Sequence, residues 1–176
     1  RLDSHRLIEE FMVLANVCAA ETLENKKYTC VYRIHDVPSS EKVDGLRLNL
    51  DGFGIKLSKG QVITAKLFNE VLKNAEGHDA KEAINQLVLR AQSQAVYSPN
   101  NLGHFGLGLR RYAHFTSPIR RYSDLLVHRA LISSHNFGTD GDLLPTLEEL
   151  ELICEEISKS ERRAAFAERS ANYRYS

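Results

Sequence analysis

No stretch of the sequence approaches the ~18 consecutive apolar residues of a membrane span, and no repeat or low-complexity tract interrupts it. No membrane-spanning helix is expected within these residues. Cysteine is scarce: Cys18, Cys30 and Cys154 are far apart and odd in number. They read as reduced, mostly buried thiols rather than a disulfide framework, which fits a cytoplasmic protein. There is no C-x-x-C and no Cys/His pair at ligand spacing, so a zinc site is not expected. No signal-peptide pattern is visible. The histidines His104, His114 and His128 lie ten or more residues apart without matching carboxylates. Their types and spacing suit hydrogen bonding better than metal ligation. No Ser-His-Asp arrangement stands out. The glycines of "GHFGLGL" are followed by neither a helix nor a lysine, so they do not make a phosphate loop. Net charge is +0, and the overall balance therefore says nothing about nucleic acid.

What is present is an ordinary globular composition: 43% apolar and 26% charged residues over 176 positions. That length suits a single domain able to bury roughly 70% of its unfolded surface. "SHRLIEEFMVLANVCAAETL" predicts a first helix, capped by Ser4 or Asp3, with Leu7, Ile8, Phe11, Leu14, Ala15 and Cys18 toward the core. "YTCVYRIHD" predicts a strand ended by Asp36 and Pro38. Ser39 or Ser40 caps a second helix through about Leu50, and "GFGIKLSKGQ" is a turn-rich link. Residues 65–75 and 79–95 predict two further helices. "YSPNNLGHFGLGL" starts as a loop and becomes a short strand near Phe105–Leu109. Ser117 as N-cap and Pro118 as first residue open the next helix. The polar loop after it holds a D-G-D turn at Asp140 and Asp142. Thr146 with Glu149 forms a capping box that starts a long helix to about Asn172. The expected class is α+β, mostly helical, with about six helices and two or three short strands. A short ribbon of strands is marginal alone, and the first residues enter a helix directly. The expectation is therefore the second half of a larger mixed α/β domain.

Charge is unevenly placed. No lysine stands between Lys81 and Lys159, whereas residues 104–129 hold Arg110, Arg111, Arg120, Arg121 and Arg129 against one acid, Asp124. Arginine binds phosphate bidentately. A first helical turn favours acids, since its N–H groups carry positive character. Arg120 and Arg121 at such a place imply either an anion held there or an ion cluster satisfied by Asp124, with His128 one turn further on. Glu9 and Glu10 allow two readings as well: complement to a helix dipole, or a carboxylate that accepts from a sugar hydroxyl. The alternating charges Glu161, Arg162, Arg163, Glu168 and Arg169 read as a solvated, salt-bridged face.

"YAHFTSPIRRYSDLLVHRAL" resembles the signature of the ribonuclease II / ribonuclease R family of exoribonucleases, as do "SHRLIEEFMVLAN", "YRIHDVPS", "QAVYSPNNLGHFGL" and "SERRAAFAER". The order and spacing are most similar to the bacterial ribonuclease R branch, over about Asp3 to Arg169. The resemblance implies a processive, magnesium-dependent 3′-to-5′ exoribonuclease that hydrolyses single-stranded RNA to nucleoside 5′-monophosphates. It implies that residues 1–176 are the C-terminal part of one catalytic RNB domain, with the metal-binding first half absent. Mg2+ would be held by an aspartate cluster outside this chain, and none is expected in the chain itself. Arg120 matches the residue that contacts phosphate near the scissile bond, with Arg121 as its neighbour. Glu9 or Glu10 matches one near the terminal ribose, and Glu168 a carboxylate near the active site. Ser117 and His114, in the same motif, complete the candidate RNA-contacting set. Expected partners are single-stranded RNA, the first half of the catalytic domain and flanking RNA-binding domains. The isolated chain is expected to be inactive and to self-associate through exposed apolar surface. The alternatives are a non-catalytic RNA-binding module or a helical interaction domain.

Overall fold

The computed structural model describes residues 2–60, 62–139 and 144–175. The expected turn at Asp140 and Asp142 lies outside the described residues. Six α-helices are present among the described residues: α1 (Asp3–Asn25), α2 (Ser40–Asp51), α3 (Ala65–Asn74), α4 (Lys81–Ala91), α5 (Tyr122–His135) and α6 (Leu147–Tyr175). Two strands, β1 (Tyr32–Ile34) and β2 (Val96–Ser98), pair antiparallel with Arg33 opposite Tyr97. The mostly helical α+β class follows. No helix among the described residues is long and apolar enough to cross a membrane.

The chain divides into two compact units. The first comprises α1, β1, β2, α5 and α6. Its core gathers Ala20 and Leu23 from α1, Val31 and Ile34 around β1, Tyr97, Val127 from α5, and Leu150 and Cys154 from α6. Two strands alone make a marginal sheet. Here β2 gains a side-chain partner in α6, because the Tyr97 N–H donates to Ser158 Oγ (3.0 Å), which donates in turn to the Cys154 carbonyl (2.7 Å). Tyr32 also bridges to Ala113, which lays the segment before α5 along β1. The second unit packs α2, α3 and α4 around Leu50, Phe68, Ile84 and Val88.

Side-chain caps set three of the six helix starts among the described residues. Ser39 Oγ accepts from Lys42 N at the head of α2, and Thr64 Oγ1 accepts from Leu67 N at α3. At α6 the capping box forms as expected: Thr146 N donates to Glu149 Oε2 (2.8 Å) and Glu149 N to Thr146 Oγ1 (3.3 Å). Those bonds from the Thr146 backbone and hydroxyl hold the Glu149 carboxyl below its ordinary range.

Four expectations are corrected. In α1 the buried residues are Asn16, Ala19, Ala20 and Leu23. Leu7, Ile8, Phe11, Leu14 and Cys18 are exposed, so the face chosen from apolar spacing is not the covered one. Cys30 and Cys154 are buried, and burial pushes both thiols up, Cys154 to about 12. Phe105–Leu107 is a single 3-10 turn instead of a strand. The His104 ring accepts from Leu107 N, and Gly108 closes the turn in the left-handed region at φ 65°. The strand in that part of the chain is Val96–Ser98, so Tyr97 and Ser98 stand in a strand where the sequence predicts the start of a loop. Finally, α5 begins at Tyr122 rather than Pro118, for the reason given next.

Candidate functional site

The stretch from Tyr112 to Arg121 runs extended and then turns, and three buried or half-buried polar groups hold it. Asn16, 3% exposed within α1, donates to Tyr112 Oη (2.9 Å) and accepts from Phe115 N (2.8 Å). His128, on α5, donates from Nε2 to the Phe115 carbonyl (2.9 Å) and stacks on the Phe115 ring at 4.2 Å between centroids. Asp124 accepts from Ser117 N (2.8 Å). Beyond the bridge of Ala113 to Tyr32, these side chains satisfy backbone groups of the segment that no strand pairs.

Asp124 also explains the delayed helix. Its carboxylate is 0% exposed and accepts four donors: Ser117 N, Arg121 Nε and Nη2 (both 2.8 Å) and Ser123 Oγ (3.1 Å). To lay its guanidinium flat on Asp124, Arg121 takes an extended backbone, φ −127° and ψ 119°, which a continuous helix forbids. Ser117 therefore caps no helix of its own. Its carbonyl accepts from Arg120 N and Arg121 N, and Ser117 to Arg120 form a separate turn ahead of α5. The acid at the positive end of α5 is Asp124, as the dipole requires.

The two readings of the arginine cluster each hold for different residues. Arg121 is satisfied by Asp124, and Arg111 by Glu24, with Glu21 nearby. Arg120 is exposed, and its guanidinium makes no hydrogen bond or ion pair with a described residue. It lines a cavity of about 410 Å3 with Arg121, Tyr97, Ser123, Ser160 and Glu161. Asp124 reaches neither Arg120 nor His128, so the expected three-way cluster reduces to the Arg121 pair.

Three members of this cavity region carry no signal of their own in the sequence. Glu161 accepts a forked pair of bonds from Arg33, Nη1 to Oε2 at 2.6 Å and Nη2 to Oε1 at 3.0 Å. It thus pairs across the fold to β1, not along the solvated face of α6 as expected. The Arg33 guanidinium lies 4.6 Å over the Tyr97 ring, a cation–π contact. Tyr97 Oη shares a 2.9 Å hydrogen bond with His114 Nδ1. Burial raises the Tyr97 pKa; a Ser123 hydrogen bond and the charges of Arg33 and Arg121 oppose that rise, and Glu161 adds to it.

The site residues expected from sequence are therefore only partly gathered. Arg120 and Arg121 share the cavity, His114 stands behind Tyr97, and Ser117 braces the turn. Glu9 and Glu10 lie on the exposed first half of α1, and Glu168 is exposed on α6. Glu168 follows Glu161 by about two helical turns on nearly the same face. It lies beyond the residues lining the cavity. A larger cavity of about 540 Å3 lies beside Tyr122, Leu126 and Leu152; among the described residues its one charged lining group is Glu149, already engaged by Thr146. The donor set does not fit a metal. Among the described residues no three His, Cys, Asp or Glu side chains gather closely enough, and the carboxylates beside Arg120 and Arg121 are bonded to arginines.

Fold and geometry together define a mostly helical α+β chain with a cavity lined by one unpaired and one paired arginine. Comparison with known proteins supplies the family. Residues 1–135 match the RNB domain, and the chain belongs to the RNB domain family. It is 45% identical over 168 residues to Ribonuclease R of Aquifex aeolicus (strain VF5), a match covering 96% of this chain and 24% of that protein. The apo form of Mycoplasma genitalium RNase R is similar in structure, with a TM-score of 0.87 and 34% identity over 98% of this chain and 28% of that one. The same enzyme in complex with ribose methylated single-stranded RNA gives a TM-score of 0.86 and 33% identity, with the same coverage of both chains. The chain spans about a quarter of the length of these proteins.

Proposed function

We propose that this chain is the later part of an RNB catalytic domain in a processive, magnesium-dependent 3′-to-5′ exoribonuclease. Its substrate is single-stranded RNA, released as nucleoside 5′-monophosphates. In this reading Arg120 holds a phosphate beside the scissile bond. The observation that carries it is the contrast inside one cavity: Arg121 and Glu161 have their charges matched, and Arg120 does not. A planar guanidinium with free N–H groups grips two phosphate oxygens at once. Supporting it is the family, and a relative whose solved structure contains single-stranded RNA.

The remaining residues take roles around that contact. Arg121 locks the Ser117–Arg120 turn by its bonds to Asp124, so Arg120 is presented from a fixed base. Ser117 lies in this turn and His114 braces the Tyr97 wall, both within reach of the substrate strand. Glu9 or Glu10 accepts from a ribose hydroxyl, and Glu168 supplies a further carboxylate near the reacting end. Magnesium, which supplies charge neutralisation at the reacting phosphate, is held by residues outside 1–176. The isolated chain is inactive in this reading, having no carboxylate cluster for a two-metal displacement.

Arg120→Lys in the full-length enzyme tests the assignment. Lysine keeps the charge and loses the fork. Turnover should fall ~100-fold or more, by analogy with removal of an oxyanion donor, with RNA affinity and melting temperature close to wild type. Near-wild-type cleavage would remove Arg120 from the reaction.

A further inference from the structure

We propose that Arg33, which does not line the cavity, is a positioning residue that keeps the cavity receptive to phosphate by occupying Glu161. The inference rests on the reading of Arg120 as a phosphate contact. Three charged side chains line the cavity: Arg120, Arg121 and Glu161. Arg121 is matched by Asp124. Glu161 is matched from behind by Arg33, whose side chain is 13% exposed against 44% for Glu161. With both pairs closed, the remaining charge in the cavity is the cation of Arg120.

The arrangement makes the charge of Glu161 matter more than its packing. Arg33 is held from two sides, by the forked contact to Glu161 and by the Tyr97 ring beneath it. Tyr97 is fixed in turn by His114 and, through its backbone, by Ser158. Without Arg33, a half-exposed carboxylate is left in the same cavity as an unpaired guanidinium. That anion repels an entering phosphate and competes with it for Arg120. Arg33 therefore acts on the substrate through Glu161, without touching it.

The sign of one substitution separates this from a staple that merely joins α6 to β1. Glu161→Gln removes the anion and leaves Arg33 in place. A staple predicts weaker RNA binding or none at all. Charge masking predicts binding at least as tight as wild type, by up to about fivefold at low salt.

The experiment measures affinity for ribose-methylated single-stranded RNA and melting temperature on full-length protein. The variants are Arg33→Gln, Glu161→Gln, Arg33→Gln/Glu161→Gln and Arg120→Gln. Arg33→Gln should weaken binding by about fivefold to twentyfold. The double variant should return to within about threefold of wild type, even though both lose the ion pair and melt lower. Weaker binding by Glu161→Gln, or a double variant no better than Arg33→Gln, overturns the inference while leaving Arg120 in its role. Wild-type affinity in Arg120→Gln overturns the underlying reading, and this one with it.

Discussion

Arg121 places two guanidinium nitrogens 2.8 Å from the Asp124 carboxylate, while Arg120, one position earlier, meets no described partner. The backbone accompanies the difference: Arg121 is extended where Ser117 to Arg120 form a turn. Asp124 is the residue on which this depends. It is fully buried and carries a charge, so removing the charge leaves Arg121 without a counter-ion and Ser117 N with a weaker acceptor. Breaking a buried pair from one side costs roughly 3–5 kcal/mol. Arg121 keeps some access to solvent, 19% for its side chain, which places Asp124→Asn near ~3 kcal/mol. Urea unfolding of wild type and variant measures it directly. A loss under ~1 kcal/mol would mean that the carboxylate is a passenger. The residue type at 124 was legible in the sequence, because an acid three residues after an arginine at a helix start is a recognisable pair. Which arginine it takes was not. Spacing allows both Arg120 and Arg121, and only the break in the helix decides.

Among the elements, some starts fixed by adjacent residues match the sequence reading, whereas the caps expected at Ser4 or Asp3 and at Ser117 do not, because Leu2 is the N-cap of α1 and α5 starts only at Tyr122. The T-x-x-E box at Thr146 and Glu149 and the serine cap at Ser39 need nothing beyond their own turn. Elements fixed by distant partners depart from the sequence reading. The covered face of α1 depends on what packs against it. In the first unit that is the Ala19, Ala20 and Leu23 stripe, while Leu7, Phe11 and Leu14 stay more than half exposed. Likewise Arg33 and Glu161 are 128 positions apart, and neither "YRIHD" nor "SERRAAFAER" carries a cue to the other. The exposed stripe on α1 makes its own prediction. Leu7 and Phe11 stand one turn apart, and burying each is worth about 1.5–3 kcal/mol. The isolated chain should self-associate, and Leu7→Lys/Phe11→Glu should weaken that association tenfold or more without lowering the melting temperature. Sedimentation velocity over a range of concentrations reads the outcome. Unchanged association, or a variant that no longer folds, would assign this face elsewhere.

At the scale of the whole molecule, a chain with no net charge carries a local excess of arginine, and the fold neutralises part of it. Arg111 and Arg121 are matched by acids, and Glu161 is matched by Arg33. In the proposed role, Arg120 remains for a backbone phosphate. Each phosphate neutralised on single-stranded RNA contributes about −0.7 to the slope of log affinity against log salt. The most direct measurement is therefore that slope, for wild type and Arg120→Gln, on the same ribose-methylated single-stranded RNA. Binding should be weaker, and the slope shallower by about 0.7, in the variant. A slope unchanged from wild type would contradict that role, because the side chain would then touch no phosphate.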